Sequence, residues 1–157
     1  LADEYLRLAY HGLQAKDDNF NATLETHFDP DLPLVSVIPQ DIGRVFLNII
    51  NNAFYAVAVR KKQEPEGFKP TVTVSSKLKD GVTEFRIKDN GTGIPDDVKA
   101  RIFQPFFTTK PTGQGTGLGL SLAYDIMTKG HGGTLEVESE QGVGTEFVIL
   151  LPAKNNG

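Results

Sequence analysis

Apolar positions recur along the chain with two periods, and the elements change where the period does. Leu1–Lys16 has apolar residues at Leu1, Tyr5, Leu8 and at Leu6, Ala9, Leu13, which is helix spacing ended by Asp17-Asp18-Asn19. Asn21–Phe28 alternates and predicts a strand. Leu34–Ile38 predicts a second, after a turn around Pro30 and Pro33. Gln40–Lys62 is the longest helical pattern, with Ile42, Val45, Phe46, Ile49, Ala53, Ala56 and Val57 as its core face. Pro39 precedes it, Asp41 complements the dipole of its first turn, and Arg60, Lys61 and Lys62 close it. Thr71–Lys79 and Val82–Asp89 alternate on either side of Asp80-Gly81, a hairpin signature. Asp96–Phe103 predicts a short helix after Pro95, and residues 104–116 a loop rich in Pro, Gly and Thr. Gly117–Lys129 predicts a helix with Gly130 as its stop. Thr134–Ser139 and Thr145–Leu151 are strands joined by a glycine-bearing turn, and residues 153–157 a frayed tail.

Strand pairs joined by tight turns call for a mixed, largely antiparallel sheet. About three helices can cover one of its faces. The expected fold is therefore an α/β two-layer sandwich, not a doubly wound Rossmann fold.

Composition narrows the function more than the fold. With 157 residues the chain suits one domain with a real core. Net charge is −4, whereas nucleic-acid binders more often carry a basic patch, so no nucleic-acid partner is expected. No apolar run approaches the ~20 residues of a membrane span, and no signal-peptide pattern is present. Cysteine is absent, which excludes disulfides and cysteine-based zinc sites and fits a reducing, cytoplasmic setting. The chain begins at Leu1 and its one methionine is Met127, so a piece of a longer protein is expected. His11, His27 and His131 are isolated, without metal-ligand spacing or a serine-histidine-aspartate arrangement.

Four segments carry candidate chemistry. LNIINNA places Asn48 and Asn52 four residues apart, on one helix face, with Asn51 turned to solvent. Amide oxygens suit Mg²⁺ where phosphates supply charge, although the same amides also serve as caps or face water. In KDNGTGIP, Asp89 shares strand parity with Phe85 and Ile87, so its carboxylate points to the core side and needs a partner. The exocyclic amine of adenine is one such partner, and Gly91 and Gly93 admit a flat ring; an ordinary Asn-Gly turn is the plainer account. GQGTGLGLSLAYDIM leads alternating glycines into a helix N-terminus, an anion site or a flexible cap, but neither a P-loop nor a Rossmann fingerprint. In IFQPFFTTK, Phe103, Phe106 and Phe107 can anchor the following loop, or belong to the core. Lys110 can reach a terminal phosphate, or remain solvated.

In this order the four segments resemble the catalytic ATP-binding domain of sensor histidine kinases. That domain belongs to a superfamily with gyrase, the heat-shock chaperone ATPases and the MutL mismatch-repair proteins. LNIINNA is similar to the asparagine box, DNGTGIP to the first glycine box, IFQPFFTTK to the phenylalanine box, and GTGLGLSLAYDI to the second glycine box. HGGTLEVESEQGVGTEFVILLP resembles the closing hairpin, so the likeness runs from about Phe20 to Pro152. The resemblance implies a Bergerat-type sandwich over residues 20–152, a lead-in helix at 1–19 and a tail at 153–157. It implies Asn52 as the Mg²⁺ ligand, with Asn48 beside the phosphates or metal. Asp89 would read adenine with Thr145 assisting through water, and Gly91, Gly93 and Ile94 would lie around the base. Gly115, Thr116, Gly117, Leu118 and Gly119 would cradle phosphate beneath a lid near residues 108–116.

The activity implied is transfer of the γ-phosphoryl group of ATP to a histidine on a separate dimerisation domain, then to a response-regulator receiver domain. The parent protein would be a homodimer, with no direct membrane contact by this fragment. Many members carry lysine three residues after the metal asparagine. Tyr55 stands there, which leaves Lys110 to supply charge. None of the three histidines is followed by Glu or Asp, so the acceptor is expected elsewhere. Alternatives are a self-contained ATPase, whose relatives have glutamate at the position of Asn48, and a non-catalytic nucleotide-binding or docking module.

Overall fold

The computed structural model of the chain describes residues 23–27, 39–64, 66–79, 81–104, 119–130 and 132–152. The expected Leu1–Lys16 helix, the Leu34–Ile38 strand, the loop beyond Gln104 and the tail lie outside the described residues. Among the described residues five strands form one sheet: β1 (Thr23–His27), β2 (Thr71–Lys79), β3 (Val82–Asp89), β4 (Thr134–Glu140) and β5 (Gly144–Pro152). Their order is β1-β2-β3-β5-β4. β1 runs parallel to β2, and every other pairing is antiparallel.

The two-residue alternation decides which side chains face the helices. Ile87 and Asp89 of β3 are buried, as are Thr145, Phe147, Ile149 and Leu151 of β5. The ladder sets Ile87 opposite Phe147 and Asp89 opposite Thr145. The opposite parity carries Glu84, Arg86 and Glu146, where the Arg86 guanidinium bridges both carboxylates.

The long helix α1 (Pro39–Gln63) supplies most of the second layer. Ile42, Val45, Phe46, Ile49, Ile50, Ala53, Phe54 and Val57 are all buried. Each large apolar side chain stabilises by about 1.5–3 kcal/mol when fully buried. Phe46 meets Phe85 edge-on, with ring centroids 5.2 Å apart. Ile50 and Phe54 widen the core face expected from the sequence, and Ala56 is half-buried and packs against Gly91. Contrary to the sequence expectation, Ile42–Gln63 is long and apolar enough to cross a membrane by length and composition alone. Half of that window is buried within the fold, as a core helix is.

Two helices end differently from the pattern. Asp96–Lys99 forms α2, not the expected Asp96–Phe103. After it the Arg101 N–H bonds to the Val98 carbonyl and the Gln104 N–H to the Arg101 carbonyl, three-residue steps that tighten the chain. This turn sends Phe103 to stack on Tyr124 at 5.1 Å and to meet Phe147 edge-on at 6.4 Å. Gly119–Asp125 forms α3, which continues as a π-helical turn, Ile126–Gly130. There the Thr128 hydroxyl donates to the Tyr124 carbonyl at 2.8 Å, competing with the helical ladder. Met127 is fully buried in that turn. The helical element ends at Gly130, as expected, and beyond it Gly132 takes a left-handed conformation (φ 64°) while the Gly133 N–H returns to the Met127 carbonyl at 2.9 Å.

Candidate functional site

The candidate site lies where α1 passes the end of β3 and the β4–β5 hairpin. Asp89 is the last residue of β3 and is 3% exposed. Its Oδ1 accepts the Gly91 N–H at 2.8 Å, and the carboxylate also accepts the Thr145 backbone N–H. Burial pushes the carboxyl up from its ordinary 3.8 to about 7, against the downward pull of the Gly91 and Thr145 bonds. Two N–H donors leave acceptor capacity on a carboxylate, which has about four lone-pair sites. The group is therefore suited to a neutral donor such as an amine.

Around it the turn Asn90–Pro95 is held from several sides. Asn90 fixes the start of β2, accepting the Thr71 N–H at 2.9 Å and donating to the Lys69 carbonyl at 2.8 Å. A Cβ on Gly91 would lie 2.6 Å from the Ala56 Cβ, so only glycine lets the turn rest on α1. Gly93 has φ 75°, and a Cβ there would collide with the Glu140 carbonyl. Gly93→Ala should therefore lower the urea midpoint of unfolding. The left-handed conformation alone costs about 1–3 kcal/mol in a non-glycine residue, and the backbone collision adds to it.

A hydroxyl pair sets the hydrogen-bond polarity of the other wall. Ser139 Oγ accepts the Ile94 N–H at 2.8 Å and donates to the Gly144 carbonyl at 3.0 Å. Thr145 Oγ1 lies 2.8 Å from Ser139 Oγ. A hydroxyl has one proton, so with that of Ser139 on Gly144 the bond between the pair is donated by Thr145. Thr145 Oγ1 then presents acceptor lone pairs beside Asp89. Ser139 escaped sequence reasoning, since a serine in an alternating strand reads as solvent-facing. Its place opposite Thr145 in the hairpin register is the signal that finds it.

Asn48 and Asn52 are half-buried near the middle of α1, whereas Asn51 is exposed. Asn52 Nδ2 donates to the Asn48 carbonyl at 3.0 Å, one turn back along the helix. That bond fixes the amide and leaves Asn52 Oδ1 with no hydrogen bond among the described residues. An oriented, uncommitted neutral oxygen suits a hard cation. No group of three or more His, Cys, Asp or Glu able to hold a metal occurs among the described residues. Among the described residues, Asn52 Oδ1 is thus the oxygen on this helix face oriented to serve a metal.

Asn52 precedes Ala56 by one helical turn, and Ala56 abuts Gly91, so one helix joins the asparagine pair to the Asp89 turn. Asp89, Gly91, Gly93, Ile94 and Thr145 come together as described. Gly119 begins α3. Lys110, Gly115, Thr116, Gly117 and Leu118, with Phe106 and Phe107, lie outside the described residues, as do His11 and His131. His27 stands exposed at the end of β1.

Residues 38–155 match the family of histidine kinase-, DNA gyrase B- and HSP90-like ATPases. Sporulation kinase E of Bacillus subtilis is 35% identical over 144 residues, covering 92% of this chain and 18% of that protein. Sensory histidine kinase/phosphatase NtrB of Rhizobium meliloti is 36% identical over 137 residues, covering 83% of this chain and 35% of that protein. The chain thus spans about a fifth to a third of the length of these two relatives. Among solved structures, a nucleotide-free form of the catalytic domain of histidine kinase ThkA superposes with a TM-score of 0.74 at 29% identity, covering 96% of this chain and 91% of that one. The mycobacterial sensor histidine kinase MprB gives 0.73 at 27% identity, with 97% and 94% covered. The chain belongs to the family of histidine kinase-, DNA gyrase B- and HSP90-like ATPases, as a catalytic domain of the sensor histidine kinase type.

Proposed function

We propose that residues 20–152 bind Mg-ATP and donate its γ-phosphoryl group to a histidine on a separate dimerisation domain, from which it passes to a response-regulator receiver domain. In this reading residues 1–19 lead in from the acceptor domain, residues 153–157 are a tail, and the chain is a cytoplasmic portion of a homodimeric parent sensor. The observation that carries it is the buried Asp89 carboxylate, held among the described residues by N–H donors, at a glycine-lined turn that rests on the helix bearing Asn52. Asp89 accepts from the adenine amine, Thr145 Oγ1 accepts beside it through water, and Gly91, Gly93 and Ile94 form the wall. Asn52 Oδ1 binds Mg²⁺, and Asn48 lies on the phosphate side. Bound Mg²⁺ neutralises charge on the phosphate oxygens. Gly115, Thr116, Gly117, Leu118 and Gly119 enclose the phosphates by backbone N–H groups, and Lys110 adds a point charge.

Phosphoryl transfer demands mainly positioning and charge stabilisation, which these residues can provide. A self-contained ATPase needs a base one turn before the metal asparagine. Asn48 stands there, and an amide is no useful base at neutral pH. Mixing the chain with its separately prepared acceptor domain and γ-labelled ATP tests the reading. Phosphohistidine on the acceptor, with slow hydrolysis by the isolated chain, is the expected result. Rapid steady-state hydrolysis would favour the ATPase, and nucleotide binding without phosphohistidine a docking module.

A further inference from the structure

Arg60 lies in the last turn of α1, yet its guanidinium serves segments distant in sequence. Nη1 donates to the carbonyls of Asn90 and Gly91, both at 3.1 Å, and reaches the Val143 carbonyl at 3.4 Å. Nε is held by Glu64 at 2.7 Å, and the guanidinium carbon sits 4.9 Å from the centre of the Phe68 ring. A cation ending a helix ordinarily interacts with the last carbonyls of that helix. This one joins two other turns to it.

Each turn carries or adjoins an N–H group that holds Asp89. Gly91, whose carbonyl Arg60 binds, donates its own N–H to Asp89 Oδ1. Val143, also bound, stands two residues before Thr145, whose N–H reaches the same carboxylate. Asn52 lies two helical turns before Arg60, roughly 12 Å along the axis at 1.5 Å per residue. One helix therefore bears the metal-side amide and the cation that fastens the carboxylate's two supports.

The geometry points to Arg60 as a positioning residue for base recognition. By clamping the Asn90–Gly91 turn and the hairpin turn at Val143 onto α1, it holds the Asp89 carboxylate in register with Asn52, so that nucleotides bearing an exocyclic amine are selected. The inference rests on the adenine reading proposed above. Its alternative is a rivet that stabilises the fold without affecting selectivity. Arg60, Gln63, Glu64, Thr92, Gln141 and Gly142 line an open cleft of about 440 Å³. Carbonyls released by truncating Arg60 are rehydrated there, so the variant is expected to fold.

The test compares wild type, Arg60→Met and Arg60→Lys in affinity for ATP and for inosine triphosphate, which has a carbonyl in place of the amine. Hydrogen exchange at Gly91 and Thr145 is followed without nucleotide. Arg60→Met should bind ATP about tenfold more weakly and inosine triphosphate within about twofold of wild type, collapsing the ratio. Exchange at both amides should quicken, and Arg60→Lys, with one nitrogen in place of the fork, should recover part of each effect. Parallel loss of both affinities with the ratio preserved overturns the proposal, as does an unchanged ratio with unchanged affinities. A wild-type chain that binds both nucleotides equally removes the adenine reading itself, and the Arg60 proposal with it. Faster exchange in the variants would then show that the clamp exists without that role.

Discussion

Asn52→Ala should lower phosphoryl transfer to the acceptor domain by about three orders of magnitude while leaving the chain at least as stable. On the proposed assignment the rate effect follows from loss of the Asn52 oxygen assigned to Mg²⁺; Lewis-acid stabilisation of phosphoryl oxygens is worth several kcal/mol, and each ~1.4 kcal/mol is tenfold. The stability effect has the opposite sign. Alanine is a better helix former than asparagine by up to ~0.7 kcal/mol, and the bond lost is a half-buried contact to the Asn48 carbonyl within the same helix. Asn51→Ala is the control. Asn51 is exposed, so its replacement should bring the same helical gain with transfer unchanged. Single-turnover transfer at varied Mg²⁺, alongside thermal unfolding, separates the two effects. Nucleotide binding by Asn52→Ala that stays as tight as wild type in excess chelator would end the metal assignment.

Asp89→Asn should weaken ATP binding about a hundredfold and flatten the pH dependence of stability. The amide keeps one oxygen but sets an N–H₂ where the carboxylate had a second acceptor, so it meets the adenine amine donor to donor. Loss of a charge-assisted bond of ~1.5–3 kcal/mol accounts for most of that factor, and the misdirected donor for the rest. Stability depends on the carboxyl being 3.8 when unfolded and about 7 when folded. Between those values the folded chain holds a proton that the unfolded chain has released. The wild type is therefore stabilised below pH 4 relative to neutral pH, and loses this as pH rises to 7. Above pH 7 the desolvated charge costs roughly 4 kcal/mol. ATP affinity moves the other way, rising with pH as the acceptor ionises. Urea midpoints at pH 5.5 and 8, with calorimetric titration of ATP at both, check the pair. A midpoint in Asp89→Asn that still falls between the two pH values as in wild type would assign the effect to another group.

The elements legible in the sequence are those whose local signals agree with their burial. Asp80-Gly81 between two alternating runs places β2 and β3 at the residues observed. The parity of Asp89 with Ile87 puts its carboxylate on the helix-facing side. Elements decided by distant partners were harder to read. Phe103 leaves the expected helix because Tyr124 and Phe147 receive its ring, and neither is near it in sequence. The expected α-helix over 117–129 passes into a π turn at Ile126, where a threonine hydroxyl competes for a carbonyl. In the candidate site, asparagine, aspartate and glycine stand out by being costly where they are. Ser139, Ala56 and Arg60 do not, since a strand serine, a helix alanine and a closing arginine are ordinary. Their contributions exist only once the strands and α1 meet.

The placement of Asp89 and Thr145 also bears on which motions the site survives. Both stand on β3 and β5, strands flanked on each side, whereas β1 and β4 are the outer strands of the described sheet. Proteins open from their margins through partial unfolding, with the interior of a sheet giving way last. A fluctuation that peels away β1 leaves the Asp89–Thr145 rung intact, and one that peels away β4 removes Ser139 but not the carboxylate. On the proposed reading, discrimination of the base is thereby rooted in the part of the described sheet that opens last and persists through excursions that loosen its edges.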